Sequence, residues 1–321
     1  MLESDSLELG QKSDLVPDVS VVVPAFNASR TVKGAIASAL GQVGVTIEVI
    51  VADDGSTDDT CLIAESFGSP VRVLRLSHSG LPAVCRNAGI RAARGEYVAF
   101  LDADDEWLPG KLAVQFEVLE SKPATGLVCS NALRLVTGPQ VVESPYFTEA
   151  QMRCGMVLCD LVRNNFVITS TAVVRNSALQ VSGPFREDAS VATAEDYDLW
   201  LRLAAYYEVV YLPAILAVYR DEPKTYRSTV SAATELTNRG NALIGLLAVL
   251  SQDRKAERTL ARGRVANLSL DALGLAWGLS DWRLVSRHIW RLARCRAWRP
   301  VAGRARKALL RHGRHDGLHE P

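Results

Sequence analysis

The first part of the chain alternates short apolar runs with longer segments of helical spacing. Val19–Val23 and Ile47–Val51 are nearly continuous apolar runs, a pattern typical of strands buried on both faces of a sheet. Between them, Ser29–Gln42 carries apolar residues three to four positions apart, with Asn27 or Ser29 as the candidate cap. This order predicts a βαβ unit.

The alternation continues up to about residue 120. The next predicted elements are a helix over 58–67, a strand over 71–76, a helix over 82–93, a strand over 97–101 and a helix over 111–120. Short strands alternating with longer helices predict an α/β fold, in which helices cover both faces of a mostly parallel, Rossmann-like sheet.

The pattern becomes mixed in the second part and then purely helical. Predicted elements there are strands at Gly126–Val136, Ile168–Val174 and Val209–Tyr219, and helices around Gly155–Val162 and at Glu195–Tyr206. Helices dominate from about Thr234 to residue 311. We therefore divide the chain into a loosely attached segment 1–17, a catalytic α/β domain 18–230 and a helical region 231–321.

Charge separates the two larger parts. The composition, 48% hydrophobic and 22% charged, is that of a globular protein and excludes disorder throughout. Residues 1–235 hold 19 Lys and Arg against 30 Asp and Glu, whereas residues 236–321 hold 17 against 6. The helical region is therefore strongly basic, which favours a separate anionic partner such as lipid or nucleic acid.

Cysteine usage and hydropathy indicate a reduced compartment. The six cysteines form no CxxC pair and no metal-ligand spacing with histidine, so they are expected to be reduced and mostly in the core. The first 17 residues lack the basic and apolar parts of a secretory signal. No apolar run approaches the roughly 20 residues of a spanning helix. The sequence predicts a cytoplasmic protein.

An acidic cluster follows the predicted strand at 97–101. Asp102 and Asp104 have one residue between them, so an extended backbone would point both carboxylates to the same side. Oxygen ligands of this kind suit Mg²⁺ or Mn²⁺, and open α/β sheets bind ligands at the carboxyl ends of their strands. The alternative is a solvated turn that caps the next helix.

Two polar loops are predicted to share the same edge of the sheet. Asp53 and Asp54 follow the second strand, where they could accept hydrogen bonds from a base or a sugar. The following Gly55 allows a tight turn. The segment Pro24–Asn27 ends the neighbouring strand and adds one aromatic ring, so together the loops could hold a nucleotide base. The Asp-Asp segment is also a good helix start.

A basic and an acidic segment complete the candidate chemistry. Arg86 has the planar fork that binds phosphate or carboxylate, although an ion pair with a neighbouring acid is the simpler alternative. Glu195 and Asp196 begin a predicted helix, where acids commonly stabilise the positive helix terminus.

The order and spacing of these motifs resemble the family 2 glycosyltransferases of the GT-A fold. The resemblance covers roughly residues 19–220. It rests on Val21–Pro24 before Phe26-Asn27, Asp53–Asp58, Arg86–Gly89, Gly95–Val98, Phe100–Asp105, Gly183–Phe185 and Glu195–Arg202.

The resemblance implies transfer of a sugar, with inversion, from a nucleotide-diphosphate donor to an acceptor hydroxyl, and a leaning toward uridine as the base. The implied donor-binding residues are Pro24, Ala25, Phe26, Asn27, Asp53, Asp54, Arg86, Asp102 and Ala103. Asp104, with Asp102, would ligate Mg²⁺ or Mn²⁺. Asp196 would be the catalytic base, with Glu195 beside it.

Two departures from the family pattern refine this expectation. Many relatives have a His shortly after a Tyr-Arg pair, whereas Tyr219-Arg220 is followed here by Asp221. Arg220, Lys224 or Arg227 could serve the diphosphate instead, or Glu222 could touch the metal. The Gln-x-x-Arg-Trp signature of processive synthases is missing. We expect single addition to a saccharide, lipid-linked or other hydroxyl acceptor in cell-surface glycan synthesis.

The basic tail allows three interpretations. The segment Trp282–Leu310 mixes tryptophans and aliphatic residues with nine Arg and Lys. It could pack on the catalytic domain with an arginine-rich outer face. It could instead contact an anionic membrane surface peripherally, at the inner face of the cell membrane. Nucleic-acid binding is disfavoured, because no recognisable module accompanies the charge.

Two rival functions remain open. A nucleotidyltransferase would also use a Rossmann-like sheet and acidic metal ligands, but it would want a Gly-rich loop with a Lys after the first strand, and Pro24–Asn27 supplies neither. A catalytically silent protein could retain the donor site and recruit partners through its basic tail. Intact Asp104 and Asp196 argue against the silent protein.

Overall fold

A single mixed sheet forms the centre of the molecule. The computed structural model describes residues 16–136, 142–147, 154–221, 230–278 and 281–294. The strands within these residues are β1 (Val19–Ala25), β2 (Ile47–Asp53), β3 (Val71–Arg75), β4 (Tyr97–Phe100), β5 (Glu106–Trp107), β6 (Thr125–Val136), β7 (Val142–Pro145), β8 (Val173–Arg175) and β9 (Glu208–Asp221). Their order across the sheet is β3-β2-β1-β4-β8-β6-β9-β5, and β7 pairs with β6.

The first four strands of the chain run parallel, as the alternating pattern predicts. β1 pairs with both β2 and β4, and β2 pairs with β3. The sheet then becomes mixed, because β8 runs antiparallel to both β4 and β6, whereas β6 and β9 are parallel. The predicted α/β fold is confirmed. The parallel half brings the carboxyl ends of β1, β2 and β4 to one edge, where the site is built.

Helices cover both faces of this sheet. They are α1 (Val32–Leu40), α2 (Thr60–Glu65), α3 (Pro82–Ala92), α4 (Lys111–Ser121), α5 (Leu158–Arg163), α6 (Asn176–Ser182), α7 (Glu195–Tyr206), α8 (Ala232–Val249), α9 (Lys255–Gly278) and α10 (Trp282–Arg294). Side chains alternate along a strand, so Val22 joins one core layer, with α7, α8 and α9. Val21 and Val23 join the other, with α1 and α4.

One close approach brings α3 against β1. A Cβ added to Gly89 would lie 2.3 Å from Cγ1 of Val22, a distance that no side chain could accept. Glycine at this position therefore lets the helix rest directly on the strand. The consequence is that Arg86, one turn earlier on α3, reaches the site at the sheet edge.

The predicted strand Ile168–Val174 is wrong in its first part. Thr169–Thr171 form a 3₁₀ turn, and the strand is only β8. The hydroxyl of Ser170 donates to Oδ2 of Asp105 at 2.5 Å, and that of Thr171 donates to the carbonyl of Ile168 at 2.8 Å. The hydrogen bond of Thr171 is local and competes with the sheet ladder, whereas that of Ser170 reaches a residue 65 positions away.

The predicted cap of the first helix, Asn27 or Ser29, is also wrong. α1 has Thr31 at its N-cap position. The side chain of Asn27 instead accepts a hydrogen bond from the backbone N–H of Thr57 at 2.9 Å, which ties the loop after β1 to the loop after β2. The pattern also missed three short elements, namely α6, β5 and β7.

The helical C-terminal part of the chain shares the core of the central sheet. Leu243 and Leu246 of α8 belong to the same buried cluster as Leu199 and Leu203 of α7. None of the helices in the described residues has the length and hydropathy that a bilayer crossing requires. The division at 230/231 stays a prediction. The segment 1–15 and the predicted helix after Arg294 lie outside the described residues.

α10 is held against α8 by polar contacts. His288 is buried, and its Nε2 lies 2.9 Å from Oγ1 of Thr237. Arg291 donates to the carbonyl of Thr237 at 3.3 Å.

Of the five cysteines described, all are free, and Cys61, Cys85 and Cys129 are buried as expected, whereas Cys154 is exposed. Cys295 lies outside the described residues.

Candidate active site

A cleft of about 1000 Å³ opens at the carboxyl ends of β1, β2 and β4. It gathers most of the residues that the sequence singled out, although they come from five separate segments. Those lining it are Pro24, Ala25, Phe26, Asn27, Asp54, Arg86, Asp102, Ala103, Asp104, Glu195 and Asp196. Of the predicted site residues, Asp53 is the one that the structure does not bring to the cleft.

Asp53 and Asp54 have different surroundings. Asp53 is 2% exposed and accepts a hydrogen bond from the backbone N–H of Ser56 at 2.9 Å, so it holds the turn after β2. Asp54 faces the cleft and accepts hydrogen bonds from the backbone N–H groups of Ser79 and Gly80, each at 2.8 Å. The carboxylate of Asp54 therefore shapes the loop before α3.

A stacked pair of rings forms one rim of the cleft. The ring centroids of Phe26 and His78 lie 4.3 Å apart with an interplanar angle of 23°. Both side chains are about half exposed. Asp54 fixes the position of the His78 ring, because Nδ1 of His78 lies 2.9 Å from the carbonyl oxygen of Asp54 and 3.0 Å from its carboxylate. The sequence analysis identified Phe26 but missed His78.

The acidic cluster lies after β4, as predicted. Asp102 and Asp104 line the cleft, whereas Asp105 points inward and is 1% exposed. Asp105 accepts hydrogen bonds from Ser170 and from the backbone N–H of Arg220. Burial raises the pKa of Asp105 well above its ordinary value, and the charges of Asp104 and Asp102 raise it further. The electrostatic potential at the cluster is thus strongly negative, which favours the binding of a cation.

Arg86 joins two acidic segments of the site. Its Nη2 donates to Oδ1 of Asp102 at 2.7 Å, and its Nη1 donates to Oε1 of Glu195 at 2.8 Å. The guanidinium also lies 5.5 Å from the ring centre of Phe185. The ion-pair interpretation of Arg86 is therefore confirmed, although the side chain still lines the cleft. The two carboxylates raise the pKa of Arg86 and keep it charged.

Glu195 and Asp196 begin α7 but differ in exposure. Glu195 is 7% exposed, and burial raises its pKa to about 7, with Asp196 adding to the rise and Arg86 opposing it. Asp196 is half-buried and accepts a hydrogen bond from Oγ1 of Thr169 at 3.1 Å. The more accessible Asp196 is therefore better placed to meet a substrate, while Glu195 is held by Arg86.

The remainder of the Glu195–Arg202 motif is structural. Asp198 is fully buried and pairs with Arg202 at 2.8 Å and with Arg186 at 3.2 Å. Arg202 also donates to the carbonyls of Gly183 and Pro184. The Gly-Pro-Phe loop is thereby fixed under α7, which explains why the two motifs occur together.

Three arginines extend the cleft beyond the motifs. Arg220 lines it, but its Nη2 pairs with Glu106 at 2.8 Å. Arg239 comes from α8, and its ion pair with Glu235 spans 3.9 Å. Arg30, after β1, is exposed. Lys224, Arg227 and Glu222, which were the other candidates to replace the family's His, lie outside the described residues.

Sequence reasoning also missed an aromatic wall and several polar residues. These cleft residues are Tyr146, Phe147, Asn164, Asn165, Thr169, Thr193 and Arg239. They belong to no motif, and several come from segments far apart in the chain. Tyr219, which was identified only as part of the Tyr-Arg pair and without a site role, also lines the cleft. The half-polar ending of β9 at Tyr219-Arg220 was the one local signal that could have identified part of this wall.

The donor set fits a divalent cation that brings other ligands with it. Among the described residues, no group of three or more His, Cys, Asp and Glu side chains is arranged to hold a metal ion. Two cleft carboxylates, Asp102 and Asp104, are nevertheless the usual protein share of a Mg²⁺ site, which otherwise keeps waters and substrate phosphates. Since Arg86 donates a hydrogen bond to one carboxylate oxygen of Asp102, Asp104 would supply the larger share of the protein ligands to the cation.

Comparisons with known proteins find relatives among the glycosyltransferases. Residues 20–156 match the family model described as "Glycosyl transferase family 2". The succinoglycan biosynthesis protein ExoO of Rhizobium meliloti (strain 1021) is 47% identical over 105 residues, which are 32% of this chain and 30% of ExoO. WfaP of Escherichia coli, a UDP-Glc:alpha-D-GlcNAc-diphosphoundecaprenol beta-1,3-glucosyltransferase, is 28% identical over 188 residues, 58% of this chain and 69% of WfaP. The match thus spans less than a third of ExoO.

A solved structure shares the fold over nearly the whole chain. The mannosyltransferase PcManGT of Pyrobaculum calidifontis, in complex with GDP-Man and Mn²⁺, has a TM-score of 0.56 and 19% identity, and the match covers 95% of this chain and 89% of PcManGT. The fold is therefore of the GT-A type. The family model and the relatives together identify residues 20–156 as a segment of glycosyltransferase family 2.

Proposed function

We propose that this protein transfers one sugar from a nucleotide-diphosphate donor, UDP-linked, to a hydroxyl of a saccharide acceptor, with inversion and with the help of Mg²⁺ or Mn²⁺. The observation that carries the proposal is the meeting of Asp102 and Asp104 with Asp196 in one cleft. The first two follow β4 and the third begins α7, so the fold brings together three carboxylates from distant segments. This supports a metal-binding role for the first two and a proton-accepting role for the third.

Asp196 is proposed as the base that takes the acceptor proton while the hydroxyl attacks the sugar. It must remain ionised and within hydrogen-bond reach of the acceptor. Its half-buried position and its hydrogen bond from Thr169 support this role. Glu195 is proposed to position the start of α7 through its ion pair with Arg86, and not to touch the acceptor.

Asp104, with the free oxygen of Asp102, would hold the cation against the donor diphosphate. The bound cation would stabilise the negative charge that develops on the diphosphate as the bond to the sugar breaks. At about 4 Å and an effective dielectric constant of about 20, one pair of unit charges is worth roughly 4 kcal/mol. That amounts to about three decades in rate if it is realised only in the transition state.

The base of the donor is proposed to lie along Pro24–Asn27 and Asp54. The half-exposed ring of Phe26 offers an apolar face there. Arg239 is proposed to supply the positive charge that relatives obtain from the missing His, because it lines the cleft and has only a 3.9 Å ion pair. The uridine preference is supported by the UDP-Glc specificity in the name of WfaP.

The acceptor is proposed to be a lipid-linked saccharide in cell-surface glycan synthesis, by analogy with the names of WfaP and ExoO. A peripheral contact with anionic lipid would fit such an acceptor. The exposed face of α10 carries Arg283, Arg287 and Trp290 at helical spacing, and Trp290 is 59% exposed. Sedimentation with phosphatidylglycerol vesicles, compared with pure phosphatidylcholine vesicles, would test this contact.

A thermal-shift screen tests the donor site. The protein should be heated with UDP-, GDP-, dTDP- and CMP-sugars, each with Mg²⁺, with Mn²⁺ and with EDTA. A ligand at about 100 times its dissociation constant stabilises by roughly 2.7 kcal/mol, so the true donor should raise Tm by several degrees. We expect a metal-dependent shift with UDP-sugars, followed by release of UDP when acceptors are added.

The outcomes separate the candidate functions. A shift without release of UDP across a broad acceptor panel would favour the catalytically silent binding protein. Stabilisation by CMP- or GDP-sugars alone would retain the transferase and reject the UDP preference. No shift with any donor would count against a donor site in this cleft.

A further inference from the structure

We infer that Tyr146 and Tyr219 form an aromatic platform that binds a pyranose ring of the acceptor. The inference rests on the proposed transferase function and assigns its acceptor subsite. Both residues line the same cleft as Asp104 and Asp196, and Tyr146 belongs to none of the motifs from which the donor site was predicted. Their ring centroids lie 5.2 Å apart at an interplanar angle of 85°.

The platform is firmly anchored. Tyr146 donates its backbone N–H to the carbonyl of Ala132 at 2.9 Å. The next residue, Phe147, is bonded twice to the buried amide of Asn131, which accepts from its N–H at 3.0 Å and donates to its carbonyl at 2.9 Å. Phe147 also packs edge-on against Tyr211. The fold thus fixes Tyr146 in place through its neighbour.

The order of the sheet separates this platform from the base. Phe26 follows β1 and His78 follows β3, so both lie on the β3-β2-β1 side of the acidic cluster, which follows β4. Tyr219 lies on β9, and Tyr146 follows β7 and is bonded to β6, both on the opposite side of β4. A donor whose base lies at Phe26 and whose diphosphate lies at Asp104 leaves this opposite side for the acceptor.

The chemistry of the rings favours a sugar. An aromatic face carries partial negative charge, and the axial C–H groups on one face of a pyranose carry partial positive charge, so the two surfaces attract each other while water is excluded. Both tyrosines are half-buried and not fully enclosed, which leaves them accessible from the cleft. A cleft that mixes such rings with a few carboxylates and amides is typical of small-molecule recognition.

The test measures sugar binding directly. Saturation-transfer NMR should be recorded on the full chain with UDP and Mg²⁺ present, using methyl glycosides of glucose, galactose and N-acetylglucosamine as probes. The variants are Tyr146→Ala and Tyr146→Leu, of which the second keeps apolar bulk without an aromatic face. Tyr146→Phe keeps the ring. Tyr206→Ala is the matched control, because Tyr206 is 51% exposed on α7 and does not line the cleft.

We expect at least one glycoside to receive saturation in the wild-type protein. Its affinity should fall about 3- to 10-fold in Tyr146→Ala and Tyr146→Leu, and it should change less than about twofold in Tyr146→Phe and Tyr206→Ala. The thermal shift with UDP should be the same in all variants. Loss of glycoside binding with the UDP shift intact is specific to an acceptor subsite.

Other outcomes overturn the inference. If no glycoside binds the wild-type protein while UDP does, or if Tyr146→Leu binds glycosides as well as the wild type, the platform is wrong and the donor site stands. If UDP-sugars fail to stabilise the wild-type protein, the proposed function itself fails. A loss of UDP binding in Tyr146→Leu would move these rings to the donor site.

Discussion

Arg86 and Glu195 are 109 residues apart in the chain, yet their side chains meet at 2.8 Å in a buried ion pair. The second nitrogen of Arg86 contacts Asp102, so one guanidinium joins α3, the acidic cluster after β4 and the start of α7. The acidic cluster and the start of α7 are therefore joined by one residue.

Replacing Arg86 should destabilise the whole protein. In Arg86→Met two carboxylates would face each other without a counter-charge, and breaking a buried pair typically costs about 3–5 kcal/mol. Urea unfolding followed by circular dichroism measures the loss. Arg91→Met is the control, since Arg91 lies on the same helix, is 67% exposed and has only a 4.0 Å pair. Equal stability of the two variants would contradict the bridging role.

Asp104→Asn should remove the metal-dependent part of donor binding. The amide keeps the shape of the side chain but loses the charge that a divalent cation requires. The thermal shift with a UDP-sugar should then be the same with Mg²⁺ and with EDTA. Asp271→Asn, on the exposed surface of α9, should retain the metal-dependent difference. If Asp104→Asn retains it too, the cation is held elsewhere.

Asp196→Asn should bind the donor normally but transfer sugar about 10²- to 10⁴-fold more slowly, the usual contribution of a general base. Its unfolding free energy should change little, because the side chain is half-buried and forms no ion pair with the residues that the structure describes. Initial rates of UDP release at saturating donor measure the effect. A near-normal rate would show that another group accepts the proton.

The same substitution two residues later gives a sharp contrast. Asp198 is fully buried between Arg186 and Arg202, so Asp198→Asn should lower stability by several kcal/mol. Its rate per folded molecule should fall much less than that of Asp196→Asn. A similar kinetic loss in both variants would mean that α7 acts through its position and not through one base.

Acid should loosen the packing of α10. Burial, with the charges of Arg291 and Arg287, lowers the pKa of His288 to about 4 from the ordinary 6.5. The folded state favours the neutral ring. The contribution of His288 to the free energy of unfolding is therefore complete above pH 6.5 and is lost as the pH falls toward 4. This loss in the free energy of unfolding is at most about 3 kcal/mol. Urea unfolding between pH 4 and 8 should show a shallower pH dependence in His288→Gln, and an unchanged profile would contradict this assignment.

The sequence predicts the parallel half of the fold well, because each strand there is a local apolar run with its own helix. It fails where pairing is long-range. The parallel contact of β6 with β9 joins residues more than 80 positions apart, and β5 is a strand of two residues that exists only because β9 passes beside it. Thr169–Thr171 turn instead of extending, since the hydroxyl of Thr171 bonds locally to Ile168 and that of Ser170 bonds to the distant Asp105.

The candidate site shows the same division. Asp104, Arg86 and Asp196 could be identified because they lie in motifs at element ends. The contacts of these residues could not be predicted from the sequence. The hydrogen bond from Arg86 to Glu195, for example, depends on how the fold brings α3 and α7 together. Tyr146 and Arg239 enter the cleft from segments without a recognisable pattern, so their roles follow from tertiary structure alone.

The reach of α8 into the cleft has a consequence for how such enzymes diversify. The matched family segment ends at residue 156, yet the cleft is walled by Asp196, Tyr219 and Arg239, and Leu243 supports α7 from below. The segment that must be inherited intact to keep this cleft is therefore longer than the segment that the family model matches. New acceptor preferences can arise by drift in the unmatched part, while a gene shortened to the matched segment would lose one side of its own active site.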